Sequence, residues 1–142
     1  NLCHLLLAVE ESKNMRKLSR KGLITKLDTL TSRIMRILEP RCVQCGTTEQ
    51  LTLGHVLAGR FHALRWDIRP DGNAHTQCWP ENYKHTHHQN FYHDWYRNKF
   101  GEKRWKQLEF EYYGNTHRFS DKELREMSEK YQEKLDKLLL TL

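Results

Sequence analysis

A chain of 142 residues has the length of one compact domain, and with hydrophobic residues at 37% against 30% charged its core is thin enough that a metal staple would supplement it. Its formal charge of +6, spread along the whole chain, attracts polyanions and nominates nucleic acid, although a plainly solvated basic surface carries the same charge. No stretch approaches the ~18 consecutive apolar residues of a membrane span, and Leu5-Leu6-Leu7-Ala8-Val9 is too short for a secretion signal, so cysteines 3, 42, 45 and 78 are expected reduced or metal-bound in a cytoplasm.

Residues 1–22 begin apolar and turn basic at Arg16, Lys17, Arg20 and Lys21, with Gly22 expected to break the pattern; a docking helix and a mobile basic arm both fit. From Leu23 the apolar positions Leu23, Leu27, Leu30, Ile34 and Leu38 recur at three- and four-residue steps, which predicts a helix that Pro40 ends. Arg33 and Arg36 lie on that helix as candidate DNA contacts.

Residues 42–46 form a Cys-x-x-Cys-Gly knuckle, in which Gly46 permits the tight backbone that turns both sulfurs toward one ion. Leu51, Leu53 and Val56 read as a short strand reaching His55. Residues 57–72 carry the loop signals Gly59, Pro70 and Asp71-Gly72 together with Arg60, His62, Arg65, Trp66 and Arg69, an aromatic among bases as a DNA-facing loop would have.

After Cys78, Trp79-Pro80-Glu81 opens a helix expected to cover much of residues 82–100 and to stop at Gly101. A further helix is predicted from Glu102 to about Tyr113. The last helix opens on Ser120-Asp-Lys-Glu123, a capping box, and its stripe of Leu124, Met127, Tyr131, Leu135, Leu138 and Leu142 is close to a heptad. That stripe serves either an internal core or a homodimer seam. Among the tryptophans, core packing is favoured over base stacking, least strongly for Trp66 in its loop-like surroundings.

Cys42 and Cys45 alone read as a zinc knuckle, a redox pair or chance; Cys78, with an oxygen ligand available at Glu81, supplies a second two-residue spacing and favours zinc. His85, His87 and His88 compete with Glu81 for the fourth position. His55 is one of nine histidines, and what distinguishes it is order: His at a strand end, Asn73 in the next loop, Asn82 opening a helix. In a ββα-metal nuclease such a His deprotonates the attacking water, the middle Asn orients the imidazole, and the last Asn holds a divalent cation on the scissile phosphate. Arg60 and Arg65 are candidate phosphate clamps, and Trp66 a candidate base contact.

These residues resemble the NinG, or Rap, recombination nucleases of lambdoid phages, a Cys-rich family related to HNH enzymes. The resemblance rests on the helix before Cys42-x-x-Cys45-Gly46, on Gly54-His55, Arg65-Trp66, Asn73-x-His75-x-Gln77-Cys78, Asn82 and Tyr92, and on the last helix near Tyr131–Leu135. It implies a structure-specific endonuclease that nicks branched recombination intermediates, D-loops and Holliday junctions, with Mg²⁺ or Mn²⁺, in a phage-infected or prophage-bearing bacterial host. It also implies His55 as general base, Asn73 as its orienting residue, Asn82 as cation ligand, and Cys42, Cys45 and Cys78 as zinc ligands. The chain departs from the family pattern at Glu81, where a fourth Cys is usual. Gly54 stands where many HNH enzymes carry an acid, which leaves His88 or His75 as candidates for a second cation ligand.

The expected architecture is α+β and mostly α: a zinc-stapled, HNH-like ββα-metal finger over residues 41–101, between a helical region at 1–40 and C-terminal helices at 102–142, all in one compact domain. The expected activity is metal-dependent cutting of branched or duplex DNA. Its rivals are a non-catalytic, zinc-dependent DNA-binding accessory protein of recombination, and a redox protein using Cys42 and Cys45.

Overall fold

A computed structural model describes residues 2–16, 18–60 and 63–142; Lys17 and His62 lie outside it. The order of elements is α1 (Leu2–Arg16), α2 (Arg20–Leu38), β1 (Leu51–His55), a 3₁₀ turn (Ala63–Trp66), β2 (Ala74–Cys78), α3 (Trp79–His87), α4 (Asn90–Phe100), α5 (Glu102–Gly114) and α6 (Asp121–Leu139). The class is mostly helical α+β. No described helix is long and apolar enough to cross a membrane. The chain divides into two compact units, Asn1–Leu30 with Phe119–Leu142, and Thr31–Arg118.

In the first unit, Gly22 does not break a helix. Ser19 caps α2, its Oγ accepting from the Gly22 amide at 3.2 Å, so Gly22 sits in the first turn, where its amide needs a side-chain partner. Leu23, Leu27 and Leu30 are buried, and so are Leu124, Ser128 and Leu135 of α6. The stripe of α6 therefore serves an internal core at these positions. The capping box forms as its sequence predicts: Ser120 Oγ accepts from Glu123 N at 3.1 Å, and Glu123 Oε1 accepts from Ser120 N at 3.2 Å.

The second unit is built on a two-stranded antiparallel ribbon in which Leu51 faces Cys78, Leu53 faces Thr76 and His55 faces Ala74. All five residues of β2 are buried although His75, Thr76 and Gln77 are polar, and for His75 and Thr76 the chain supplies partners on both sides. Glu39, just beyond α2, accepts from the Thr76 amide at 3.0 Å and lies 2.8 Å from His75 Nδ1, and Thr76 Oγ1 donates to the Met35 carbonyl at 3.1 Å. Behind the ribbon, Val56, Leu57, Tyr92, Tyr96, Trp105 and Leu108 form the apolar core.

The single helix expected over 82–100 is two. α3 starts at Trp79 and ends at His87; its C-cap His88, with a φ of −137° and a ψ of 78°, leaves the helical region, and α4 begins at Asn90. Neither Gly nor Pro marks this break. It brings His85 of α3 and His93 of α4 side by side, ring centroids 5.6 Å apart, with both rings directed at the segment that follows β1.

Candidate functional site

The knuckle and the end of β2 bring three thiols together. The ligand atoms of Cys42, Cys45 and Cys78 lie within 4.8 Å of one another, and the Cys45 and Cys78 sulfurs are 3.6 Å apart. A tetrahedral zinc with bonds of about 2.3 Å needs its sulfurs about 3.8 Å apart, so these residues fit the ion. The turn that does this closes with Gly46 N donating to Cys42 O at 2.9 Å, and Gly46 has a φ of +78°, which a side chain would strain. Burial pushes the Cys42 thiol up, but the amides of Cys78, Cys45 and Gln44 outweigh it and the net direction is down. Burial drives Cys78 up to about 11, with the Glu81 amide pulling the other way. One thiol predisposed to ionise beside one that resists is a pair that a divalent cation relieves. Among the described residues the cluster contains the three thiols and neither Glu81 nor a histidine.

The second feature is the backbone around His55. Six consecutive carbonyls each accept a side-chain hydrogen bond: Leu53 from Asn82 Nδ2, Gly54 from Tyr92 Oη, His55 from His85 Nε2, Val56 from His93 Nε2, Leu57 from Asn73 Nδ2 and Ala58 from Tyr112 Oη, at 2.8 to 3.3 Å. Side chains from β2's approach, α3, α4 and α5 thus converge on one short stretch. Because carbonyls only accept, His85 and His93 carry their protons on Nε2. Burial lowers both imidazole pKa values, and for His85 the neighbouring His93 adds to it, so both rings favour the neutral donor form.

His55 itself, half-buried, has Nε2 2.8 Å from the carbonyl of Arg65. That contact places a proton on Nε2, the nitrogen that faces the carbonyl. A Cβ on Gly59 would come within 2.5 Å of the His55 ring, so glycine is what lets the loop close over the imidazole. The loop that presents the Arg65 carbonyl is tied around one buried carboxylate. Asp67 accepts from Arg69 Nε and Nη2, each at 2.8 Å, and from the Asn73 amide at 2.9 Å. Burial raises the Asp67 pKa, but the Arg69 guanidinium and these donors prevail and hold it below the usual carboxylate range.

The other residues singled out in the sequence fall as follows. Asn73 does not hold the His55 ring: fully buried, it bridges the two polar groups of Leu57, Oδ1 accepting from its amide and Nδ2 donating to its carbonyl, both at 2.8 Å. The Arg65 carbonyl meets the ring, and Asn73 fixes the chain two residues past His55. Asn82 turns toward β1 with Nδ2 3.1 Å from Thr52 Oγ1 and 3.3 Å from Leu53 O. His88 is exposed, edge-on to Phe91. His75 is fully buried between the Glu39 carboxylate and the Gly72 carbonyl, each 2.8 Å from a ring nitrogen, so it is not placed to take a cation. Arg33, Arg36 and Arg60 are exposed, and the Arg65 guanidinium lies 5.5 Å from the Trp66 ring centroid. Trp66 is only 6% exposed whereas Trp79 is 56% exposed, which reverses the order expected for base contacts: Trp66 is buried although its sequence surroundings are loop-like, and Trp79 opens α3 on the solvent side.

Asp67 escaped the sequence reading, and the contacts that Gly59, His93 and Tyr112 make were not legible in it. Their roles depend on particular contacts made across 2 to 54 residues, and single loop or helix residues of these types carry no spacing signal.

No curated protein and no solved structure matches the chain. The family model described as Bacteriophage Lambda NinG protein matches residues 9–139, nearly the whole length, and the chain belongs to that family.

Proposed function

We propose that this protein is a metal-dependent DNA endonuclease of the HNH-like, ββα-metal type that cuts branched recombination intermediates, D-loops and Holliday junctions among them. The observation that carries the reading is His55: a half-buried imidazole at the end of a ribbon strand, with Nε2 against the Arg65 carbonyl, preceding a helix that carries Asn82. Family membership and the basic charge support DNA as the substrate.

In this mechanism His55 Nδ1 takes the proton of an attacking water, and the new imidazolium is steadied by the Arg65 carbonyl dipole on its other nitrogen. Rigid placement of the ring comes from the six clamped carbonyls, so little reorganisation accompanies proton transfer. Asn82 Oδ1 would hold Mg²⁺ or Mn²⁺, with exposed His88 as the second protein ligand, and the cation would neutralise charge on the phosphate and the leaving oxygen. Cys42, Cys45 and Cys78 would hold zinc in a structural role, with Glu81 turning onto the fourth position. Arg33, Arg36, Arg60 and Arg65 would contact phosphates.

The test is a nicking assay on branched and linear duplexes of equal length with Mg²⁺ or Mn²⁺. Wild type is expected to nick branched DNA and His55→Ala to lose that activity. If both give the same background, the protein is not a nuclease, and DNA binding without cutting would identify it as a zinc-dependent accessory protein.

A further inference from the structure

The exposed side of α3 carries a row of rings. Trp79 and Tyr83 stack with centroids 5.3 Å apart and planes 19° from parallel, and His87 meets Tyr83 edge-on at 4.9 Å. These residues are four apart, so they form one stripe along the helix. Trp79 and Tyr83 are each 56% exposed, although aromatic rings of this size are usually covered. Asn82 and Thr86 lie between them in sequence and border the stripe, and Asn82 reaches the ribbon beside His55.

We infer that this stripe is a stacking platform for unpaired bases next to the scissile phosphate, and that it gives the protein its preference for DNA with single-stranded arms. The inference rests on the nuclease reading above and names the feature of the substrate that the site recognises. Four observations favour bases over another occupant. The rings already stack nearly parallel, which is how a nucleobase would add to the row, and Trp79 at its end is more than half exposed. From Trp79 to His87 the stripe runs about 12 Å along the helix, long enough for an unpaired strand to follow it past Asn82. Such a strip is far smaller than the ~800 Å² per partner of a stable protein interface. Finally, Lys84 sits on the same helix, its Nζ 4.1 Å from the Phe91 ring centroid, and the chain as a whole carries +6, complementary to the phosphates that accompany the bases. A fully paired duplex keeps its bases inside and offers the stripe nothing to stack on.

Binding of the full-length chain to three DNA probes of equal length distinguishes the outcomes: a paired duplex, a fork with two unpaired arms, and the same fork carrying 2-aminopurine at the first unpaired position. Cleavage is suppressed by leaving out Mg²⁺ and Mn²⁺. The variants are Trp79→Leu and Tyr83→Leu, which keep apolar bulk and remove the π face, and Tyr83→Phe, which keeps the ring. Trp79→Leu is expected to weaken fork binding at least about fivefold and duplex binding less than twofold, to abolish the wild-type quenching of 2-aminopurine, and to leave the circular dichroism spectrum unchanged. Tyr83→Phe should behave as wild type. Equal losses on fork and duplex, no loss on either, or unchanged quenching would overturn the platform, as would a change of oligomeric state in the leucine variants, which would make the stripe a contact between copies. If wild type stacks the unpaired base but never cuts, the platform stands and the nuclease reading falls. If it cuts forks and Trp79→Leu cuts them equally well, the reverse holds.

Discussion

Asn73 is the position where the structure makes the most exact demand on a side chain. Its amide satisfies both backbone groups of Leu57, itself 6% exposed, from a site with no solvent access. Asn73→Ala removes both partners at once. Two buried backbone groups orphaned at roughly 1–3 kcal/mol each give a loss of roughly 2–5 kcal/mol after some relaxation, or a urea midpoint lower by about 1–2 M. Asn73→Asp tests the same geometry more sharply, because it keeps the acceptor for the Leu57 amide and replaces the donor to the Leu57 carbonyl by a second oxygen. Buried without a cation, the new carboxyl has a folded pKa above its unfolded value of about 3.9. The sign follows. Protonated, the carboxyl can donate to the Leu57 carbonyl and the variant approaches wild type; as pH rises from about 4 through the folded pKa, the unfolded state ionises first and the deficit grows. Urea titrations of wild type and both variants at about pH 5 and pH 8, compared as differences at each pH, check this. A cost below ~1 kcal/mol for Asn73→Ala, or a deficit for Asn73→Asp that is flat with pH, would refute the assignment of both bonds.

Gly59→Ala places a methyl 2.5 Å from the His55 ring and must turn the imidazole; nicking should fall about 100-fold with DNA binding nearly unchanged, as read by single-turnover rates beside an anisotropy titration. Cys45→Ser should weaken zinc by more than the roughly 10- to 100-fold lost with an outer-shell partner, measured against a chromophoric chelator. His85, its pKa lowered by burial and by His93, makes stability fall as the pH drops from about 6.5 through its folded pKa, since the unfolded ring protonates first. His85→Gln keeps a donor for the His55 carbonyl and does not titrate, so its urea midpoint should decline less steeply than that of wild type between about pH 6.5 and 5.

Much of the framework is legible in local patterns. The stripe of α2, the box at Ser120, the close of α4 at Gly101 and the knuckle glycine all follow from spacing or from a single conformational requirement, and each is where the chain says it should be. The three thiols were legible for the same reason: zinc chemistry restricts residue type and interval together. β2 was not, because its residues are buried on both faces and owe that burial to Glu39 and to neighbours in α4, so no alternation betrays the strand. The break at His88 was hidden for a related reason, since no residue there is barred from a helix and the carbonyls that His85 and His93 meet lie 30 and 37 residues away. Asn73 shows the limit most clearly: its type and place in the order were visible, whereas the atoms it serves are on Leu57.

A two-stranded ribbon is ordinarily a hazard in water, being marginal by itself and open on both sides to any other extended chain. Here the flank of β2 is closed at its middle residue, where the Thr76 amide goes to Glu39 and its carbonyl takes the Val43 amide at 3.0 Å. The opposite flank is closed where Leu53 and His55 receive Asn82 and His85. The same side chains that steady the His55 segment therefore act as gatekeepers against strand addition, and replacing them would expose a sticky edge as well as loosen a loop. Variants at Asn82 and His85 should consequently be compared as monomers, because aggregation through that edge would imitate a loss of activity.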